Sequence, residues 1–63
     1  MNKNDELMTI YDVRTYLGIG RDATYKLFKN SDFPAVKFNK HAVVFKSDQI
    51  QYLKDHRGTT IYL

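Results

Sequence analysis

Apolar residues recur at Ile10, Val13 and Leu17, and this spacing of three and four predicts an amphipathic helix over 10–17. Thr9 precedes the run and Asp12 follows three positions later. In that T-x-x-D arrangement the threonine oxygen accepts an early backbone N–H, and the carboxylate suits the positive end of the helix. Gly18 stands where a helix stop needs a residue tolerant of positive φ. Gly20 precedes a second periodic run over 21–29. There Thr24, Leu27 and Phe28, helped by Ile19, take the inward face, and Arg21, Asp22, Tyr25, Lys26 and Lys29 take the outward one. Pro34 pushes Phe33 toward extended geometry, so "SDFP" ends the helix and Phe33 becomes a core anchor beneath the connection.

Beyond it, "AVKFNKHAVVF" has an apolar residue at every second position before a polar tip, the pattern of a β-hairpin. Two registers are open. A three-residue Asn39-Lys40-His41 loop pairs Val36 with Val44 and Phe38 with Ala42, whereas a two-residue loop pairs Phe38 with His41. The first keeps one face wholly apolar and is the expected one. Ser47 then caps a third helix over 48–56, with Ile50, Tyr52 and Leu53 on its buried side and Gly58 to stop it. Residues 1–7 lack periodicity and read as a loose arm, 8–57 as one domain, and 58–63 as a frayed tail whose "TTIYL" is able to pair with an exposed strand edge.

The order is helix, tight turn, helix, hairpin, helix. It predicts an α+β domain of winged helix-turn-helix type, with a recognition helix, a two-stranded wing and a C-terminal helix. "GIGRDA", residues 18–23, does match the G-x-G-x-x-[GA] spacing of a dinucleotide loop. A helical pattern rather than a strand precedes it, however, and no carboxylate stands in "KHAVV" at the required distance. The glycines punctuate a turn instead.

With 63 residues, burial only just offsets the entropy of ordering the chain, which leaves little material for a large active-site cleft. The absence of cysteine excludes a disulfide framework and a thiolate zinc site. No apolar run has the length of a membrane span, and "MNKNDEL" is polar where a signal peptide is apolar, so the chain reads as soluble and cytoplasmic. His41 and His56 have no second ligand set nearby, and no metal is expected. Asp55 and His56 are adjacent and point different ways on a helix. Without a nucleophile or cleft, neither catalysis, a cofactor nor a small-molecule substrate is expected. Tyr11, Tyr16 and Tyr52 read as core or rim aromatics. The net charge of +3 is unevenly placed: 21–46 holds Arg21, Lys26, Lys29, Lys37, Lys40 and Lys46 against only Asp22 and Asp32. That is the charge distribution of a polyanion-binding surface, or of a merely solubilising one.

"MTIYDVRTYLGIGRDATYKLFKNSDFPAVKF" followed by "KSDQIQYL" resembles the small excisionase-like, MerR-type DNA-binding domains of phages and mobile elements. The likeness covers residues 7–55 and rests on the Y-L-G-[IV]-x-R turn, the Tyr25-Lys26 pair and the F-P-A-V-K segment leading into the wing. It implies double-stranded DNA as the partner, with the second helix in the major groove and the hairpin tip against the neighbouring minor groove or backbone. Gly20 then stands at the start of the recognition helix. Arg21 is placed to donate two parallel bonds to guanine, and Lys26 and Lys29 to meet phosphates. Tyr25 is placed to reach a base or a phosphate, and Asp22 to accept from cytosine or pair with a lysine. Lys37, Asn39, Lys40 and His41 form the wing contact.

Three positions depart from the family pattern. Gly20 replaces a serine, Arg14 stands where a small residue usually packs and must turn outward, and His41-Ala42-Val43 replaces a basic wing, offering Val43 to another subunit. The resemblance fits two roles in a bacterial cell, both nucleoid-associated: an excisionase that directs an integrase or recombinase, and a small transcriptional regulator. Either implies cooperative binding or dimerisation, because one such domain covers little DNA. The alternative is a protein-interaction module of the same fold that binds a repressor, an integrase or further copies of itself. RNA binding ranks third, since no glycine-aromatic sheet motif or GXXG loop occurs.

Overall fold

The computed structural model describes residues 6–63. Along the chain lie β1 (Leu7–Thr9), α1 (Ile10–Leu17), α2 (Arg21–Lys29), β2 (Val36–Phe38), β3 (His41–Phe45) and α3 (Lys46–Asp55), an α+β arrangement of three helices and one antiparallel sheet. α1 starts on a reciprocal cap. The Asp12 N–H donates to Thr9 Oγ1 at 3.2 Å, and the Thr9 N–H donates to Asp12 Oδ2 at 2.9 Å. Gly18 closes the helix at φ 67°, its N–H donated to the Arg14 carbonyl at 2.9 Å. Thr24 is fully buried where α2 meets α1, and its hydroxyl is satisfied locally by the Gly20 carbonyl at 2.8 Å.

The sheet has the order β1-β3-β2. β1 is a strand that the hydrophobic pattern does not announce, because three residues are too few to display an alternation. It pairs Leu7 with Phe45, Met8 with Val44 and Thr9 with Val43, and the Lys46 N–H extends the seam by donating to the Glu6 carbonyl at 2.7 Å. Of the arm expected over 1–7, residues 1–5 lie outside the described residues, and Leu7 belongs to the sheet.

The hairpin corrects the expected register. Its loop is the two-residue Asn39-Lys40 turn, with Val36 opposite Val43, Lys37 opposite Ala42 and Phe38 opposite His41. Asn39 takes φ 51°, a left-handed conformation that asparagine tolerates and tight hairpins require, and the tip has no glycine to form the bulge of a three-residue loop. Val44 also has to face the core beside Met8. The pleat then turns Val43 and its partner Val36 to the other side.

The core consists of Met8, Val13, Leu27, Phe28, Phe33, Val44 and Tyr52. Phe28, Phe33 and Tyr52 stack in series, with ring centroids 5.1 and 5.0 Å apart, and His56 continues the series 4.2 Å from Tyr52. α3 begins two residues earlier than expected and ends at Asp55. Phe45 occupies its N-cap position and Ser47 lies within the first turn, because β3 runs into the helix without a loop. Its buried face is rotated as well: Gln49 and Tyr52 are buried, whereas Ile50 and Leu53 are half-buried. The tail forms no strand. Ile61 packs back on the core, and Leu63 lines an apolar groove with Leu17, Ile19, Leu27 and Leu53, an arrangement that buries apolar surface an edge pairing would leave in water. Tyr11 and Tyr16, expected in the core or at its rim, are 73% and 51% exposed. Among the described residues no helix is long and apolar enough to cross a membrane.

Gly18→Ala puts a Cβ on a left-handed residue and costs about 1–2 kcal/mol. Gly20→Ser, at φ −70° with open space around the new Cβ, adds a capping hydroxyl and raises stability by a few tenths of a kcal/mol. Urea unfolding followed by circular dichroism separates the two signs.

Gln49 is fully buried, and neither its amide oxygen nor its nitrogen has a hydrogen-bond partner among the described residues. Gln49→Met keeps the shape, removes the desolvated amide and raises stability by about 1–3 kcal/mol in the same assay.

Burial, and secondarily the negative charge of Asp32, raises the Tyr52 hydroxyl above the ordinary value of 10.0. The resulting contribution to stability is intact below the unfolded-state value and is lost as pH rises through the folded-state one. Ultraviolet titration should therefore show one of the five tyrosines ionising last, and Tyr52→Phe should remove that late step.

Candidate nucleic-acid interface

Burial of Thr24, Leu27 and Phe28 fixes which way α2 faces. Four-residue spacing leaves Arg21, Tyr25 and Lys29 as one outward stripe, with Asp22 and Lys26 beside it, and all five are exposed. The Arg21 guanidinium carbon lies 5.8 Å from the Tyr25 ring centre, so the cation rests on the aromatic face. Gly20 leads the helix without a side-chain cap, which leaves the first-turn N–H groups open to an anion.

An open groove of about 500 Å³ runs between the helices and the hairpin. The helices contribute Tyr11 and Tyr25, the hairpin contributes Lys40 and His41, and Thr9, Ile10, Ala42 and Val43 complete the lining. Three residues expected to contact a partner, Tyr25, Lys40 and His41, are thus brought together from separate elements. The two-residue turn places Lys40 and His41 there, since it ends the hairpin at Asn39-Lys40 and pairs His41 with Phe38.

The remaining expected residues do not line this groove. Asp22, Lys26 and Lys29 lie on the exposed face of α2, and Asn39 is in the turn. Lys37 pairs with Ala42, and the pleat sends its side chain to the opposite face from His41. Arg14, expected to turn outward, is exposed in the last turn of α1. Val43 is half-buried.

Tyr11 was not anticipated as a site residue. The signal was present, because it falls outside the Ile10, Val13, Leu17 stripe and so had to face outward from the helix start.

Charge distinguishes this groove from its neighbours. Its lining carries a lysine, a histidine and two phenols and no carboxylate. A second groove, beside Tyr52, is bordered by Asp32, Asp48 and Asp55, and a third holds Glu6 and Asp12 together with Lys46. Among the described residues no group of three or more His, Asp or Glu side chains is placed to hold a metal ion. No sequence-family model matches the chain, and no curated protein or solved structure matches it.

Proposed function

We propose that the chain is a winged helix-turn-helix protein that binds duplex DNA in a sequence-specific manner, as an excisionase-like architectural factor or a small transcriptional regulator. The observation that carries this reading is the carboxylate-free groove shared by Tyr11, Tyr25, Lys40 and His41 next to the outward stripe of α2. A polyanion is favoured where cations and hydroxyl donors converge without competing negative charge.

The division of labour follows from side-chain chemistry. α2 is nine residues long, or about 13 Å, and an α-helix about 10–12 Å across with its side chains enters a major groove about 12 Å wide. Arg21, held against Tyr25, presents a planar donor fork to a guanine edge. Lys26 and Lys29 serve phosphates, and Lys40 and His41 at the hairpin tip meet the backbone of the flanking segment. Tyr11 adds a phenol hydroxyl to the same groove. The backbone of the described residues spans 31 × 28 × 21 Å, against roughly 34 Å for one DNA turn, a size that suits reading about one turn or less per copy.

Selection of the purified protein on randomised duplexes tests this reading. An enriched motif supports it, and retention of nothing, or of all sequences equally, overturns it. On the selected site, Arg21→Ala should cost about 1–3 kcal/mol and relax the choice at one base position. Lys29→Ala should weaken all sequences alike and lower the salt slope by about one. Tyr11→Phe should behave as Lys29→Ala does in affinity while leaving the salt slope unchanged, because it removes a donor and no charge.

A further inference from the structure

The groove between the helices and the hairpin gathers Tyr11 from α1, Tyr25 from α2, and Lys40 and His41 from the hairpin, all four exposed. One of them differs in kind. Histidine is the side-chain type whose charge changes between about pH 5 and 8.

We infer that His41 makes the hold of this groove on nucleic-acid phosphates dependent on pH, a second cation forming beside Lys40 as the solution becomes acidic. Regulation of this kind rests on the reading of the groove as a DNA contact.

The surroundings of His41 leave a bound phosphate as its counter-charge. No carboxylate lines the groove. Asp12 of α1 is engaged in the helix cap, where its Oδ2 accepts the Thr9 N–H at 2.9 Å, and it borders a different groove with Glu6. On α2, Asp22, Lys26 and Lys29 are exposed but stand outside the lining, and Arg21 lies against the Tyr25 ring. β1 contributes the uncharged Thr9. β2 sets Phe38 opposite His41, and its Lys37 lies on the other face of the sheet. No acid of the lining therefore competes with a phosphate for an imidazolium at His41.

A phosphate favours the charged imidazole, so binding takes up a proton, and by reciprocity a falling pH tightens binding. The added charge also releases further counterion, which steepens the log–log salt slope by about 0.9. At about 0.1 M salt a slope change of that size corresponds to roughly fivefold to tenfold in affinity. A His41 that served only as a neutral hydrogen-bonding group, or as packing against Phe38, would produce neither effect.

Fluorescence anisotropy of the full chain with a labelled mixed-sequence duplex, at about pH 5.5 and 8 across a sodium chloride series, provides the test. Phosphate contacts are indifferent to sequence, so no selected site is needed. Binding roughly fivefold to tenfold tighter at the lower pH, with a salt slope steeper by about 0.9, is expected. His41→Gln should abolish both differences. His41→Lys should show the steeper slope at both pH values, because its charge is fixed. His56→Gln should keep the pH dependence of the unaltered protein, since His56 stacks on Tyr52 with its Nδ1 2.8 Å from the Tyr52 carbonyl and does not line the groove. His41 is exposed, and circular dichroism at both pH values should show its variants folded. Equal affinity and slope at the two pH values, or a pH dependence that survives His41→Gln, overturns this role for His41 and leaves the DNA reading standing. Failure to bind any duplex at low salt and either pH overturns the DNA reading, and the pH dependence with it.

Discussion

Burial of Val44 is the constraint from which the rest of the molecule takes its orientation. It lies on the central strand, fully enclosed, with Met8 opposite it on β1. Once one residue of a strand must face inward, the pleat dictates the facing of every other. His41, Val43 and Phe45 turn outward for that reason, and the two-residue turn carries Phe38 and Val36 out with them. One inward valine therefore fixes the facing both of His41, beside α2, and of the exposed Leu7, Val36 and Phe38 on the same side of the sheet.

The helices are held by a different device. Phe33, fixed in the connection ahead of Pro34, packs on Phe28 of α2 on one side and edge-on against Tyr52 of α3 on the other. His56 extends the stack, with its Nδ1 2.8 Å from the Tyr52 carbonyl. This aromatic series links the two longer helices, so the outward stripe of α2 is presented by a braced element instead of a free one. A rigid support of this kind is what side chains need if they are to read a partner with directional hydrogen bonds.

What was legible in the sequence was local. The Thr9-Asp12 cap, the left-handed stop at Gly18, the uncapped start at Gly20 and the inward triad Thr24, Leu27 and Phe28 are decided within one or two helical turns, and each could be read from spacing alone. The misreadings were non-local. β1 exists because β3 offers it an edge. The hairpin register depends on Met8, which lies beyond two helices, and the burial of Gln49 and Ile61 is decided by elements distant in sequence. The candidate site divides in the same way. Its α2 residues followed from the helix period, whereas the company of Tyr11, Lys40 and His41 depended on how the hairpin meets the two helices.

The pairing of β1 also sets an order of events in folding. The turn between α1 and α2 and the hairpin at Asn39-Lys40 join neighbours along the chain, and such hairpins form within about 1–10 μs. Joining Leu7 to Phe45 closes a loop that contains both of those units, and loop-closure entropy makes that step the most costly in chain freedom. Loop-closure entropy therefore favours pairing of the hairpin ahead of β1. Its departure uncovers the inward side of Val44 and leaves a two-stranded ribbon that is at best marginally stable alone. The integrity of the whole sheet thus rests on its most distant partnership in sequence.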